Sequence, residues 1–151
     1  MNDLLKALED TAAAQFLKTS FVVYPLVNAA HILAIGALVT TVLLMDLRLL
    51  GYLASVERAN FRRLMQRVAL GAFATAAVTG GLMFSVRARD YADNPAFLAK
   101  IALVALGGLN FLIISRLERG AGGAAVPRLP IAMSLLIWPL ALIAGRFIGF
   151  L

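Results

Sequence analysis

Between Phe21 and Met45 the chain runs for 25 residues, FVVYPLVNAAHILAIGALVTTVLLM, without a formal charge. A helix rises about 1.5 Å per residue, so a run of this length can cross the roughly 30 Å hydrocarbon core of a bilayer. Lipid offers no hydrogen-bonding partner to the backbone, and a helix satisfies its own groups. Three more apolar runs follow, at about 68–86, 97–115 and 130–150. The expectation is therefore all-α: a four-helix transmembrane bundle forming a single integral membrane domain over residues 1–151. Composition agrees, with 62% hydrophobic and 15% charged residues, against about 25% charged in a soluble domain.

Ahead of the first span, residues 3–18 have apolar positions at helical spacing: Leu5, Leu8, Ala12 and Phe16. This predicts a short amphipathic helix lying in the membrane interface. Within the second span Ala72, Ala76 and Gly80 stand at i, i+4 and i+8, a seam of small residues that lets helices approach closely. Gly80-Gly81 is also a place for a bend. Residues 87–95, RARDYADNP, read as a polar loop. Within it Asn94 is placed to cap the third span, and Pro95 takes its first helical position. Lys100 lies in that span's first turns and is expected to snorkel to the interface. The stretch 116–130, RLERGAGGAAVPRLP, reads as a flexible glycine-rich linker. Pro139, at the centre of the fourth span, predicts a kink.

The formal net charge of +6 does not point to nucleic acid. The basic residues sit at the ends of apolar runs, and no basic face with interleaved aromatics forms. Arg48, Arg58, Arg62, Arg63 and Arg67 all fall in or beside the connection after the first span. Cytoplasmic loops concentrate arginine and lysine, so this connection is expected inside. The boundary residues Asp46, Arg48, Arg62, Arg63 and Arg67 then face the cytoplasm. Both termini are then expected outside the cytoplasm. Asp46 is expected either to pair with Arg63 or Arg67 or to sit solvated at the boundary.

Polar groups inside the spans are few: Asn28, His31 and Asn110 are the candidates. His31, the only histidine, shares a helix face with Tyr24, Asn28 and Ile35. An ionisable residue at that depth is costly and so marks a site worth explaining. Three readings stand: a structural hydrogen bond to Asn110 or Asn28, ligation of haem b iron or copper, or proton relay. Asn110 reads as a hydrogen-bonding contact between helices. There is no cysteine, hence no disulfide or thiolate ligand. No HExxH, phosphate loop or paired intramembrane carboxylate is present.

The combination of His31, MDLRLLG at the end of the first span, and NPAFLAKIAL and GGLN in the third resembles an uncharacterised family of bacterial four-span membrane proteins. That family is distantly similar to the membrane bundles of copper-resistance D-type proteins and b-type cytochromes. The nearer resemblance implies no activity. The distant one implies haem or copper, but those cytochromes use several membrane histidines. The leading expectation is a non-enzymatic accessory or scaffolding subunit, embedded in the lipid bilayer as a homo-oligomer or as part of a membrane complex. A haem- or copper-binding electron carrier using His31 in an oligomer is the alternative. A proton or small-solute pathway is a third.

Overall fold

A computed structural model describes residues 2–120 and 126–150. Most of the described residues are helical, in the order α1 (Asn2–Glu9), α2 (Ala12–Thr19), α3 (Val23–Leu49), α4 (Arg58–Val86), α5 (Ala88–Asp93), α6 (Pro95–Gly120) and α7 (Arg128–Phe147). Four of these, α3, α4, α6 and α7, are long and apolar enough to cross a membrane. The protein is a multi-pass membrane protein with an all-α fold.

Each long helix outruns, at one end or both, the apolar run that announced it. α3 continues through Asp46 and Arg48 to Leu49, and α6 continues through the charged RLERG to Gly120. α4 begins at Arg58, so Arg58, Arg62, Arg63 and Arg67 lie on its first turns. Charged residues end a membrane span but not a helix, because the backbone hydrogen bonds continue into water. Of the expected 116–130 linker, 116–120 are therefore helical, α7 takes up again at Arg128, and 121–125 lie outside the described residues.

The starts of the helices are set by caps. Asn94 Oδ1 accepts from Ala96 N (2.9 Å) and Phe97 N (3.1 Å), with Pro95 at the first helical position. Glu57 caps α4 in the same manner, accepting from Ala59 N and Asn60 N, each at 2.9 Å. These hydrogen bonds hold its carboxyl below the usual glutamate range.

Two expectations for the connecting segments give way. The amphipathic segment is not one helix: it breaks at Asp10-Thr11, where the Thr11 hydroxyl caps α2 by accepting from Ala14 N (3.3 Å). The break ends the register that would place Leu5, Leu8, Ala12 and Phe16 on one face. Packing buries Glu9, Ala14 and Leu17, while Leu8 and Phe16 point outward. The expected 87–95 loop contains α5, whose Tyr91 joins Phe84 of α4 and Phe97 of α6 in one cluster of stacked rings at that end.

α3 packs along α4 and α6 along α7, and α7 lies against α3, giving the spatial order α4–α3–α7–α6. Leu38, Val39, Val42, Ala69 and Trp138 form the centre of the core. Trp138 fits because Gly107 of α6 has no side chain: a Cβ there would lie 3.0 Å from Trp138 Cζ2. α7 runs helical through Pro139. The outer faces carry exposed Leu33, Leu70, Val78, Leu109 and Leu136. Such a surface is tolerable in lipid and not in water.

Candidate functional site

The polar groups inside the spans gather in two places, one beside His31 and one at the arginine-rich end. At the first, the i, i+4, i+7 spacing on α3 places Tyr24, Asn28 and His31 on one half-buried face. The small seam of α4 receives the ring. A Cβ on Gly80 would stand 3.0 Å from His31 Cε1, so only glycine leaves room for the imidazole there. Nδ1 lies 2.9 Å from Thr79 Oγ1. That hydroxyl donates its single hydrogen to Thr75 O at 2.6 Å. With that hydrogen on Thr75 O, Thr79 accepts from Nδ1–H in the tautomer that leaves the ring lone pair on Nε2. The partner is Thr79, not Asn28 or Asn110 as the sequence suggested. Thr79 is one turn from Ala76 and adjacent to Gly80, so a single stretch of α4 supplies both the space and the acceptor.

Lys100 is a cation whose charge reaches His31. Its side chain crosses α7 at Gly145, where a Cβ would lie 3.4 Å from Lys100 Cδ and Cε. Asn110 is buried on α6 and donates from Nδ2 to Pro130 O of α7 at 2.8 Å. This bond joins the two helices of the second hairpin, as His31–Thr79 joins those of the first.

At the arginine-rich end, Asp46 is neither solvated nor paired with Arg63 or Arg67. It is 2% exposed, faces the Ser134 hydroxyl of α7, and Glu118 lies nearby. Its Oδ2 has no hydrogen-bond partner among the described residues. The helix continues past Asp46, so α7 and α6 close over a position that hydropathy alone assigns to the boundary. Arg58 and Arg62 turn instead to Glu118, at 3.3 and 3.1 Å. Arg48 Nε donates to Val56 O at 3.2 Å and ties down the α3–α4 connection. A cavity of about 30 Å³ lies among Asp46, Arg62, Glu118 and Ser134, room for one or two waters.

The opposite end has an ion pair for which the sequence offered no local signal. Glu9 of α1, 6% exposed, accepts from Arg89 N (3.0 Å), Nε (3.1 Å) and Nη2 (2.9 Å). The Arg89 side-chain bonds, then its backbone N–H, hold the Glu9 carboxyl below the usual glutamate range. The side-chain bonds and the charge of Glu9 hold the Arg89 guanidinium above its ordinary range.

Neither protein-family models, nor curated proteins, nor solved structures give a match to this chain. The chemistry must therefore be read from the residues themselves. As a ligand site for haem b or copper, the first cluster offers one nitrogen, Nε2 of His31. Its neighbours Thr79, Gly80 and Lys100 supply no second soft or imidazole donor. Among the described residues no three His, Cys, Asp or Glu side chains converge as a metal site. One protomer does not fit a doubly ligated haem iron or a copper centre. What the cluster does accomplish is mechanical: it fixes the rotation and depth of α3 against α4.

Proposed function

We propose that the chain is a non-enzymatic accessory or scaffolding subunit of a membrane complex, a member of the four-span family it resembles. In this reading it resides in a bacterial inner membrane with the Arg58–Arg67 segment in the cytoplasm and both termini outside. One observation carries the proposal. His31, the most expensive polar group in the first span, is tied through Nδ1 to Thr79 and seated on Gly80. Asn110 is likewise committed, to Pro130 O. Polar side chains committed to neighbouring helices add specificity to a membrane bundle, where the hydrophobic effect between helices is absent. The lipid-facing surfaces remain for partner subunits or further copies of the chain.

The free lone pair on Nε2 of His31 favours one competing reading, a haem or copper ligand completed by a second protomer. Absorption spectroscopy and metal analysis of the purified wild type and His31→Gln separate the two. The accessory reading expects no Soret band and no stoichiometric copper in either protein. A Soret band or bound copper in the wild type that disappears in His31→Gln overturns it. Orientation is tested with single cysteines at Arg62 and Asp93, since the chain has none of its own. In intact spheroplasts an impermeant thiol reagent should label the Asp93 position and spare that at Arg62; the reverse pattern inverts the topology.

A further inference from the structure

At the arginine-rich end the bundle is open between α4 and α6. Their backbones do not approach each other along the described residues, and Arg58 and Arg62 reach across to Glu118 at one end. The cleft between the two helices has a volume of about 780 Å³. Its walls fall into two zones. Leu70, Phe111 and Leu112 supply apolar surface, whereas Arg58, Arg62, Arg63 and Arg119 gather where α4 begins and α6 ends. Glu57 and Glu118 also line the basic zone, so four guanidinium groups face two carboxylates. Both carboxylates are already engaged, Glu57 by the first N–H groups of α4 and Glu118 by Arg58 and Arg62. An arriving anion therefore meets guanidinium groups and not the helix terminus. Arg63 makes no ion pair among the described residues. Arg119 uses Nε on Ser115 O (3.1 Å), leaving its terminal nitrogens available.

We propose that this cleft seats an anionic phospholipid. Arg63 and Arg119 hold the phosphate diester, Arg58 and Arg62 add positive charge behind them, and an acyl chain lies along Leu70, Phe111 and Leu112. The match is one of charge and of layout. Guanidinium forks suit phosphate oxygens, and basic pockets between spans at a membrane boundary take anionic headgroups. The apolar wall begins where the acyl chain of such a lipid would. A zwitterionic lipid brings its own ammonium group and gains less.

The test uses the full chain in a non-ionic detergent, with lipid adducts counted by native mass spectrometry and the unfolding temperature followed in parallel. Phosphatidylglycerol and phosphatidylcholine of identical acyl chains are compared, together with glycerophosphoglycerol, which has the headgroup alone. Phosphatidylglycerol should bind preferentially and raise the unfolding temperature, less so as salt increases. Arg63→Gln/Arg119→Gln removes both guanidinium groups that hold the phosphate and should weaken its binding roughly 30-fold. Lys6→Gln/Lys18→Gln removes the same charge from exposed residues of α1 and α2 and should leave binding unchanged. Equal binding of the two lipids overturns the proposal, as does undiminished binding to Arg63→Gln/Arg119→Gln. An equal loss in the lysine variant would reduce the effect to net charge. Full stabilisation by glycerophosphoglycerol would make the ligand a free phosphodiester. Either result also overturns the proposal.

Discussion

Gly80→Ala tests the seat of the His31 ring with a single methyl group. The new Cβ would stand 3.0 Å from His31 Cε1 and 3.6 Å from Nδ1. Carbon atoms are comfortable at about 3.5–4.0 Å, so the ring must shift by roughly 0.5 Å or more. It is not free to do so, because Nδ1 is held on Thr79 at 2.9 Å. Forced overpacking costs about 1–3 kcal/mol, and an interhelical hydrogen bond in a membrane averages about 0.6 kcal/mol. Against this, replacing a helical glycine by alanine gains about 0.5–1 kcal/mol. Gly81→Ala provides the reference, since a Cβ there meets nothing within 4 Å. Both variants share the helix-propensity gain, so their difference isolates the ring. Gly80→Ala should be the less stable by about 1–3 kcal/mol. The assay is unfolding by sodium dodecyl sulfate in mixed micelles, followed by the fluorescence of Trp138, the only tryptophan. In a His31→Ala background the difference should collapse, as a double-mutant cycle requires of a direct contact. Equal midpoints for the two glycine variants, or a difference that survives removal of the ring, would refute the direct contact.

The same comparison applies across the second hairpin. Gly107→Ala should destabilise by about 1–3 kcal/mol and shift Trp138 emission, because its Cβ falls 3.0 Å from Cζ2, whereas Gly108→Ala should be tolerated. Asp46→Asn should match or exceed the wild type in unfolding temperature, because a buried carboxyl oxygen without a partner costs more than a neutral amide of the same shape; a marked drop would mean the carboxylate has a charged partner. Docking of α1 should depend on pH in the acid range. Glu9 lies below its ordinary value of 4.5 in the folded protein. Its contribution is therefore complete above that value and is lost as pH falls through the lower folded one. Proteolysis after Lys6 or hydrogen exchange in α1 should rise on acidification in the wild type. In Glu9→Gln it should be high throughout.

The four spans were legible because long uncharged runs have one stable form in lipid. Asn94-Pro95 was legible because a cap and a first-turn proline are local chemistry, and the Ala72–Ala76–Gly80 seam because small residues at helical spacing make a face wherever the helix lies. What the sequence did not disclose is how that seam is used. Nothing in the chain order links His31 to Thr79, 48 residues away, or Glu9 to Arg89, 80 residues away. Asp46 misled for a related reason. A charge beside an apolar run usually marks water, but here α3 continues and Ser134 arrives from a distant helix to cover it. The break at Asp10-Thr11 had a visible signal, a threonine ahead of Ala12-Ala13-Ala14. The apolar periodicity of residues 5–16 outweighed it. Local rules thus delivered the elements and their ends, and the pairings between elements required the packed bundle.

The central claim is that His31 is a joint between α3 and α4. The most direct measurement is the ¹⁵N NMR spectrum of the His31 ring in lipid bilayers, readily assigned because it is the only histidine. The structure predicts the proton on Nδ1, hydrogen-bonded, with Nε2 bare, and a changed Nδ1 resonance in Thr79→Val. A ring carrying its proton on Nε2, or one whose resonances ignore Thr79→Val, would contradict the joint and with it the account of how this bundle is fixed.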